Sequence, residues 1–215
     1  MSNNEKTPHA QNSRRIKTQA SSETLRILSN FENRPIHESD FFWEESGRPF
    51  FPGKDTDFNI SHSSFLIAVS YASGKNIRTG CDIEKIRDRK SADEIAKDYF
   101  SESENIYLYE DSGFNLTRFY EIWTLKECFI KLRGLSIFDM AKVPSFIQDN
   151  NFLFYSDSSL PVTFRLYNIQ NENNENYMMA CAFEGAALNQ PEIRIFSSSL
   201  CCKMTAEIKG KVKYI

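Results

Sequence analysis

A chain of 215 residues is long enough for one large domain or two small ones around a sizeable core. With 40% hydrophobic, 26% charged and 13% aromatic residues it is not a disordered chain, and a net charge of −3 lacks the basic excess of nucleic-acid binders. The five cysteines (Cys81, Cys128, Cys181, Cys201, Cys202) form no C-x-x-C pair, which argues against a disulfide framework or a zinc site and for a reducing cytosol. No apolar run approaches the roughly 18 residues of a membrane helix.

In chain order, residues 1–20 read as a polar tail, with no apolar stretch of the kind a secretory signal carries. Arg14, Arg15 and Lys17 lend it only a faint transit-peptide character. The spacing of Leu25, Leu28 and Phe31 predicts a helix over 21–31, with Ser21 or Ser22 as N-cap. Residues 33–57, rich in Pro, Gly and Asp, predict loop with short strands at DFFW and RPFF. The segment 58–73 contains FLIAV, a β-prone run that predicts a buried strand. After a turn at 74–80, CDIEKI (81–86) alternates and predicts the next strand. Ser91 with Glu94, and Ser101 with Glu104, fit capping boxes at the starts of two helices. Residues 114–134 predict the longest helix, ending at Gly134. Beyond Pro144 short strands follow (SFIQ, NFLFYS, VTFRLYNI, YMMACAFE), with a hairpin loop at 168–177 and no assignment for the last 25 residues. This order predicts an α+β fold with antiparallel sheet.

Four segments hold candidate chemistry. On the strand CDIEKI, Asp82 and Glu84 stand two apart and so share a face. Two adjacent carboxylates repel unless they are exposed, protonated or holding a cation; the pattern also fits an ordinary solvated strand face. In WTLKECFIK (123–131), Trp123, Glu127 and Lys131 share one helix face. That face fits either an i,i+4 ion pair beside a packed indole or the lining of a site. If Glu127 meets Asp82 and Glu84, three oxygen donors form a magnesium-type site; spacing alone does not bring them together. Ser61 and His62 in NISHS could bind phosphate or form a simple turn, and Arg48 in ESGRPFF offers a charged fork on a turn.

In order, GRPF, FNISHS, GCDIEKI and WTLKECFIK closely resemble the motifs of the 4′-phosphopantetheinyl transferase superfamily, surfactin-synthetase-activating type. The resemblance runs from about residue 21 to 147. It implies two pseudo-related halves of antiparallel sheet packed with helices. Residues 21–80 would be the N-terminal half, with coenzyme A phosphate and adenine contacts. Residues 81–215 would be the C-terminal half, with the acids and the long helix. It also implies transfer of 4′-phosphopantetheine from coenzyme A to a serine of an apo acyl, peptidyl or polyketide carrier protein, leaving adenosine 3′,5′-bisphosphate. Such carriers serve fatty-acid biosynthesis and secondary metabolism. By motif, Asp82, Glu84 and Glu127 would surround magnesium. Lys131 would contact phosphate, with Lys126 beside it as a further coenzyme A contact. Ser61 and His62 would lie at coenzyme A phosphates, and Arg48 near the adenine. Glu127 is the candidate base for the serine proton, and Lys131 and His62 would help neutralise charge on the phosphates. A cytoplasmic monomer is expected.

The chain departs from the family pattern in three places. Only about twenty polar residues precede the first helix, so the N-terminal half is expected to be shortened. The slot for a basic residue near the start of that helix falls near Glu23, with Arg26 one turn later. KLRGLSI is shorter than the usual K-x-x-G-x-G. The competing expectation is a catalytically impaired module of the same fold that binds coenzyme A or a carrier protein.

Overall fold

The computed structural model describes residues 22–53, 55–64, 66–109, 113–149, 152–155, 162–171, 173–185 and 204–214. The polar tail, Ser21 and the pair Cys201–Cys202 lie outside them. The chain divides into two compact units between Asp40 and Phe41. The first holds helix α1 (22–32) and a 3-10 turn at Glu38–Asp40, where Asp40 accepts a hydrogen bond from the His37 amide at 2.9 Å.

The second unit begins with a small ribbon, β1 (Phe42–Trp43) against β2 (Pro49–Phe50), which realises the two short strands expected there. A hairpin follows, β3 (Thr56–Ser63) and β4 (Leu66–Ser73). The sequence suggested one buried strand around FLIAV. The structure instead folds 56–73 back on itself, and β4 is only half-buried, with Ala68, Ser70 and Ala72 facing in. Next come β5 (Arg78–Lys85), α2 (Ala92–Tyr99), α3 (Glu102–Leu108) and α4 (Leu116–Arg133). After a 3-10 segment at Ile137–Lys142 the chain adds β6 (Phe146–Asp149), β7 (Phe152–Tyr155), β8 (Val162–Asn171), β9 (Asn176–Glu184) and β10 (Met204–Tyr214). The architecture is α+β, as expected. Its main sheet runs β5-β9-β8-β10-β7-β6 and is antiparallel except where β10 meets β7.

Helix ends follow their local chemistry. Ser101 and Glu104 form the reciprocal capping box of α3, whereas Ser91 precedes α2 without a side-chain cap bond. Helix α4 starts at Asn115, whose side chain accepts from the Arg118 amide, and stops at Gly134, in the left-handed conformation at φ 64°. The helix is buried on nearly every side because it is central, Glu121 and Lys126 included. Phe119, Ile122, Leu125, Cys128 and Leu132 are all buried in the same core as Phe164, Met178, Ala180 and Ala182 of the sheet. The opposite sheet face buries Cys81, Ile83, Tyr167, Tyr177 and Cys181 with Ala68 and Ala72 of β4. Strand β5 thus lies between α4 and the hairpin.

Gly80 sets how closely α4 approaches β5. A Cβ there would stand 2.5 Å from the Cys128 carbonyl oxygen and 2.8 Å from the Leu132 amide nitrogen, both backbone atoms. Gly80, Asp82 and Glu84 share the period-2 face, so this contact also fixes the acids against the helix. Gly80→Ala is expected to cost about 1–3 kcal/mol or more through overpacking, measured by urea denaturation.

Candidate active site

Strand β3 meets β5 through side chains rather than backbone pairing. The Thr79 amide donates to Asp57 Oδ2 at 2.7 Å, and the Cys81 amide to Asn59 Oδ1 at 3.1 Å. The Ile83 amide donates to Ser61 Oγ at 3.3 Å, and the Lys85 amide to Ser63 Oγ at 2.9 Å. Each step is two residues on both strands, so they run in the same direction. Short polar side chains at alternate β3 positions satisfy the outward amides of β5, which would otherwise be buried donors without acceptors.

Two rungs of this ladder also reach the acids. Ser61 Oγ donates to Asp82 Oδ1 at 2.8 Å, and Ser63 Oγ to Glu84 Oε2 at 3.3 Å. From α4, Lys131 Nζ lies 2.6 Å from Asp82 Oδ1 and donates to Ser61 Oγ at 2.9 Å. Lys131 therefore pairs with the strand acid, not with Glu127 one turn back. Burial disfavours the Lys131 charge, yet Asp82 outweighs it through charge and hydrogen bond and raises the ammonium above its usual range.

Glu127 also faces the strand acids. Burial, then the charges of Asp82 and Glu84, push its carboxyl up to about 7. Burial, then Asp82, raises Glu84 as well. The charges that reach Glu127 from Asp82 and Glu84 put it in the neighbourhood of the two strand acids. Asp82 is 3% exposed, and its Oδ2 is buried with no hydrogen-bond partner among the described residues. An orphaned carboxylate oxygen on the strand that also carries Glu84 is a hard donor of the kind a magnesium-type cation takes. Among the described residues no three or more His, Cys, Asp or Glu side chains are grouped closely enough to hold a metal ion.

Other expected site residues lie elsewhere. His62 is exposed, on the opposite side of β3 from Ser61, and so turns away from Asp82. Arg48, expected near the adenine, is buried. Its Nη1 and Nη2 bind Asp57 at 2.9 and 2.5 Å, Nη2 also reaches the Thr79 carbonyl at 2.8 Å, and Nε reaches the Lys131 carbonyl at 3.2 Å. Its fork is spent tying the turn before β2 to β3, β5 and α4. Lys126, expected as a coenzyme A contact, is 1% exposed and pairs with Glu104 at 3.0 Å inside the core. Trp123 packs in the core, stacked on Phe119 at 5.9 Å between ring centroids. Ser63 was missed, although its spacing from Ser61 matches that of Glu84 from Asp82.

Residues 78–182, from the start of β5 almost to the end of β9, match the family model of the 4′-phosphopantetheinyl transferase superfamily. Among curated proteins, 4′-phosphopantetheinyl transferase AcpT of Salmonella typhi is 34% identical over 122 residues, covering 56% of this chain and 62% of its own. 4′-Phosphopantetheinyl transferase gsp of Aneurinibacillus migulanus is 30% identical over 154 residues (69% and 60%). 4′-Phosphopantetheinyl transferase Sfp of Bacillus subtilis is 38% identical over 96 residues (44% and 41%). The chain thus spans less than two thirds of the length of these relatives. Gly80, Asp82, Glu84, Glu127 and Lys131 all fall inside the matched segment, so residues 78–182, which hold the candidate site, are similar to the 4′-phosphopantetheinyl transferase superfamily.

Proposed function

We propose that the protein transfers 4′-phosphopantetheine from coenzyme A to a serine hydroxyl of an apo carrier protein, releasing adenosine 3′,5′-bisphosphate. The observation that carries this reading is the Lys131–Asp82 ion pair on the strand that also bears Glu84, with Glu127 near enough for both acids to raise its carboxyl, inside the segment that matches the superfamily. The relatives' names support the reaction class.

In this reading the serine oxygen forms a bond to the β-phosphorus of coenzyme A as the bond to the adenosine bisphosphate oxygen breaks. Asp82, Glu84 and Glu127 would hold a magnesium ion, which when bound neutralises charge on the phosphate oxygens. Asp82 Oδ2 is the oxygen left free for it, while Lys131 occupies Oδ1. Lys131 supplies fixed positive charge beside the acids and would share itself with a phosphate oxygen. Glu127, which titrates near neutrality in the free protein, is suited to take the serine proton. Arg48 and Lys126 are left out of the proposed coenzyme A contacts because internal partners hold them. His62 would have to meet phosphate from the exposed side of β3. The buried free thiols of Cys81, Cys128 and Cys181 are in keeping with a reducing, cytoplasmic setting.

The test is intact-mass measurement of an apo carrier protein after incubation with this protein, coenzyme A and magnesium. A gain of one phosphopantetheine group, lost with EDTA, supports the reading. Coenzyme A binding without any gain across acyl, peptidyl and polyketide carriers would favour the impaired binding module instead. Lys131→Ala is expected to lower kcat/KM for transfer by about 10- to 1000-fold, since a charge beside the reacting phosphate is lost; an unchanged value would remove Lys131 from the mechanism.

A further inference from the structure

Two donors that the mechanism does not use meet beside the acids. The Arg89 guanidinium lies over the Trp123 ring, 5.2 Å from its centroid. Arg89 is only partly exposed, and no hydrogen bond or ion pair among the described residues engages its guanidinium. Trp123 is 9% exposed, and its indole Nε1–H is buried without an acceptor among the described residues. A buried donor without a partner is costly, and a guanidinium held over an indole is restrained in position. Both groups are donors only, so what would complete them is an acceptor, and beside a fixed cation that acceptor is an anion.

Position narrows the choice. Trp123 stands one helical turn before Glu127 on α4, and Arg89 follows β5 by four residues. The Arg89 charge is felt at both Glu84 and Glu127, where it lowers both carboxyls against burial and the neighbouring acids. An anion received here sits at the edge of the carboxylate cluster. A phosphate is the anion that such acids, with a cation between them, would accept as a neighbour.

We propose that Arg89, stacked on Trp123, and the Trp123 indole N–H form a phosphate-receiving pair that binds the diphosphate of coenzyme A next to Asp82, Glu84 and Glu127. This rests on the transferase reading. Arg89 would contribute a bidentate fork to phosphate oxygens, which a lysine at this position would not reproduce.

The experiment measures coenzyme A affinity by calorimetry with magnesium present, for wild type, Arg89→Ala, Arg89→Lys and Trp123→Phe, alongside transfer kinetics with coenzyme A and carrier varied separately. Arg89→Ala is expected to weaken coenzyme A binding by about 10- to 100-fold, with the KM for carrier unchanged. Arg89→Lys should recover only part of the loss. Trp123→Phe keeps a ring for stacking and removes only the N–H, so it should weaken binding by less than Arg89→Ala. Circular dichroism and urea midpoints separate a folding defect from a binding one. A raised KM for carrier with coenzyme A affinity intact would overturn the proposal and assign Arg89 to the carrier. Wild-type affinity in Arg89→Ala would overturn it outright, with wild-type transfer leaving the broader reading standing. If wild type itself binds no coenzyme A, the transferase reading falls, and this pair with it.

Discussion

Glu127→Gln is expected to stabilise the metal-free protein at pH 8 while lowering the proposed transfer at least about 100-fold. Folding raises the Glu127 carboxyl from 4.5 to about 7, through burial and then the charges of Asp82 and Glu84. The folded state therefore holds this proton more tightly than the unfolded chain does. Its contribution is neutral below about pH 4.5, becomes destabilising as pH rises from there to about 7, and is constant above that. Removing the charge with an isosteric amide should recover roughly 2–3 kcal/mol at pH 8 in EDTA, and nothing near pH 4. Urea denaturation of both proteins at the two pH values measures it. Magnesium should raise the melting temperature of wild type at pH 8 and leave Glu127→Gln nearly unmoved, because the amide offers no charge to a hard cation. Equal stability of the two proteins at pH 8 would show that Glu127 does not face the strand acids in solution.

Lys126→Met should lose about 3–5 kcal/mol, the cost of leaving Glu104 buried without its cation. Glu104 is 0% exposed and central to three elements. Its Oε2 accepts from the Ser101 amide at 2.8 Å and lies 3.0 Å from Lys126 Nζ, while Oε1 accepts from the Phe146 amide at 2.8 Å. It thus caps α3, anchors the start of β6 and pairs with α4. Burial lowers the Lys126 ammonium, with Glu104 opposing that shift. The double variant Lys126→Met with Glu104→Gln should lose less than Lys126→Met alone, since the amide keeps one oxygen for a backbone amide without an unpaired charge. Transfer measured on the folded fraction should stay close to wild type. A large loss of coenzyme A affinity in Lys126→Met, with the fold intact, would instead return Lys126 to the ligand.

The same lysine shows where sequence stopped being legible. Helix α4 and strand β5 were readable because period and caps are local: alternation at 81–86, Asn and Gly at the ends of 116–133. The shared faces of Asp82 with Glu84, and of Glu127 with Lys131, followed from the same periods. Which lysine enters the core is a tertiary matter. Lys126 and Lys131 have the same intrinsic chemistry, and only the position of Glu104 on another helix separates them. Arg48 likewise looked available because its partner Asp57 sits on a different strand. His62 next to Ser61 looked like a pair, but adjacent strand residues point to opposite sides, and recognising 56–63 as strand would have parted them. The segment 204–214 alternates Met204, Ala206, Ile208, Val212 and Tyr214 with Thr205, Glu207 and three lysines, so its strand character was legible but its place in the sheet was not. It becomes strand β10 by inserting between β8 and β7, a long-range pairing that no local pattern announces.

The side-chain ladder from Asp57, Asn59, Ser61 and Ser63 has a consequence outside catalysis. Strand β5 ends the main sheet, and a terminal strand ordinarily invites another chain to pair with it. Here its outward amides are already occupied, so a second molecule could extend the sheet only by peeling β3 away. Ser61 therefore does two jobs: it orients Asp82 and it helps seal the sheet against self-association. Selection for turnover at this position would also be selection for solubility, and an inactive variant at Ser61 would carry the aggregation hazard of an opened margin.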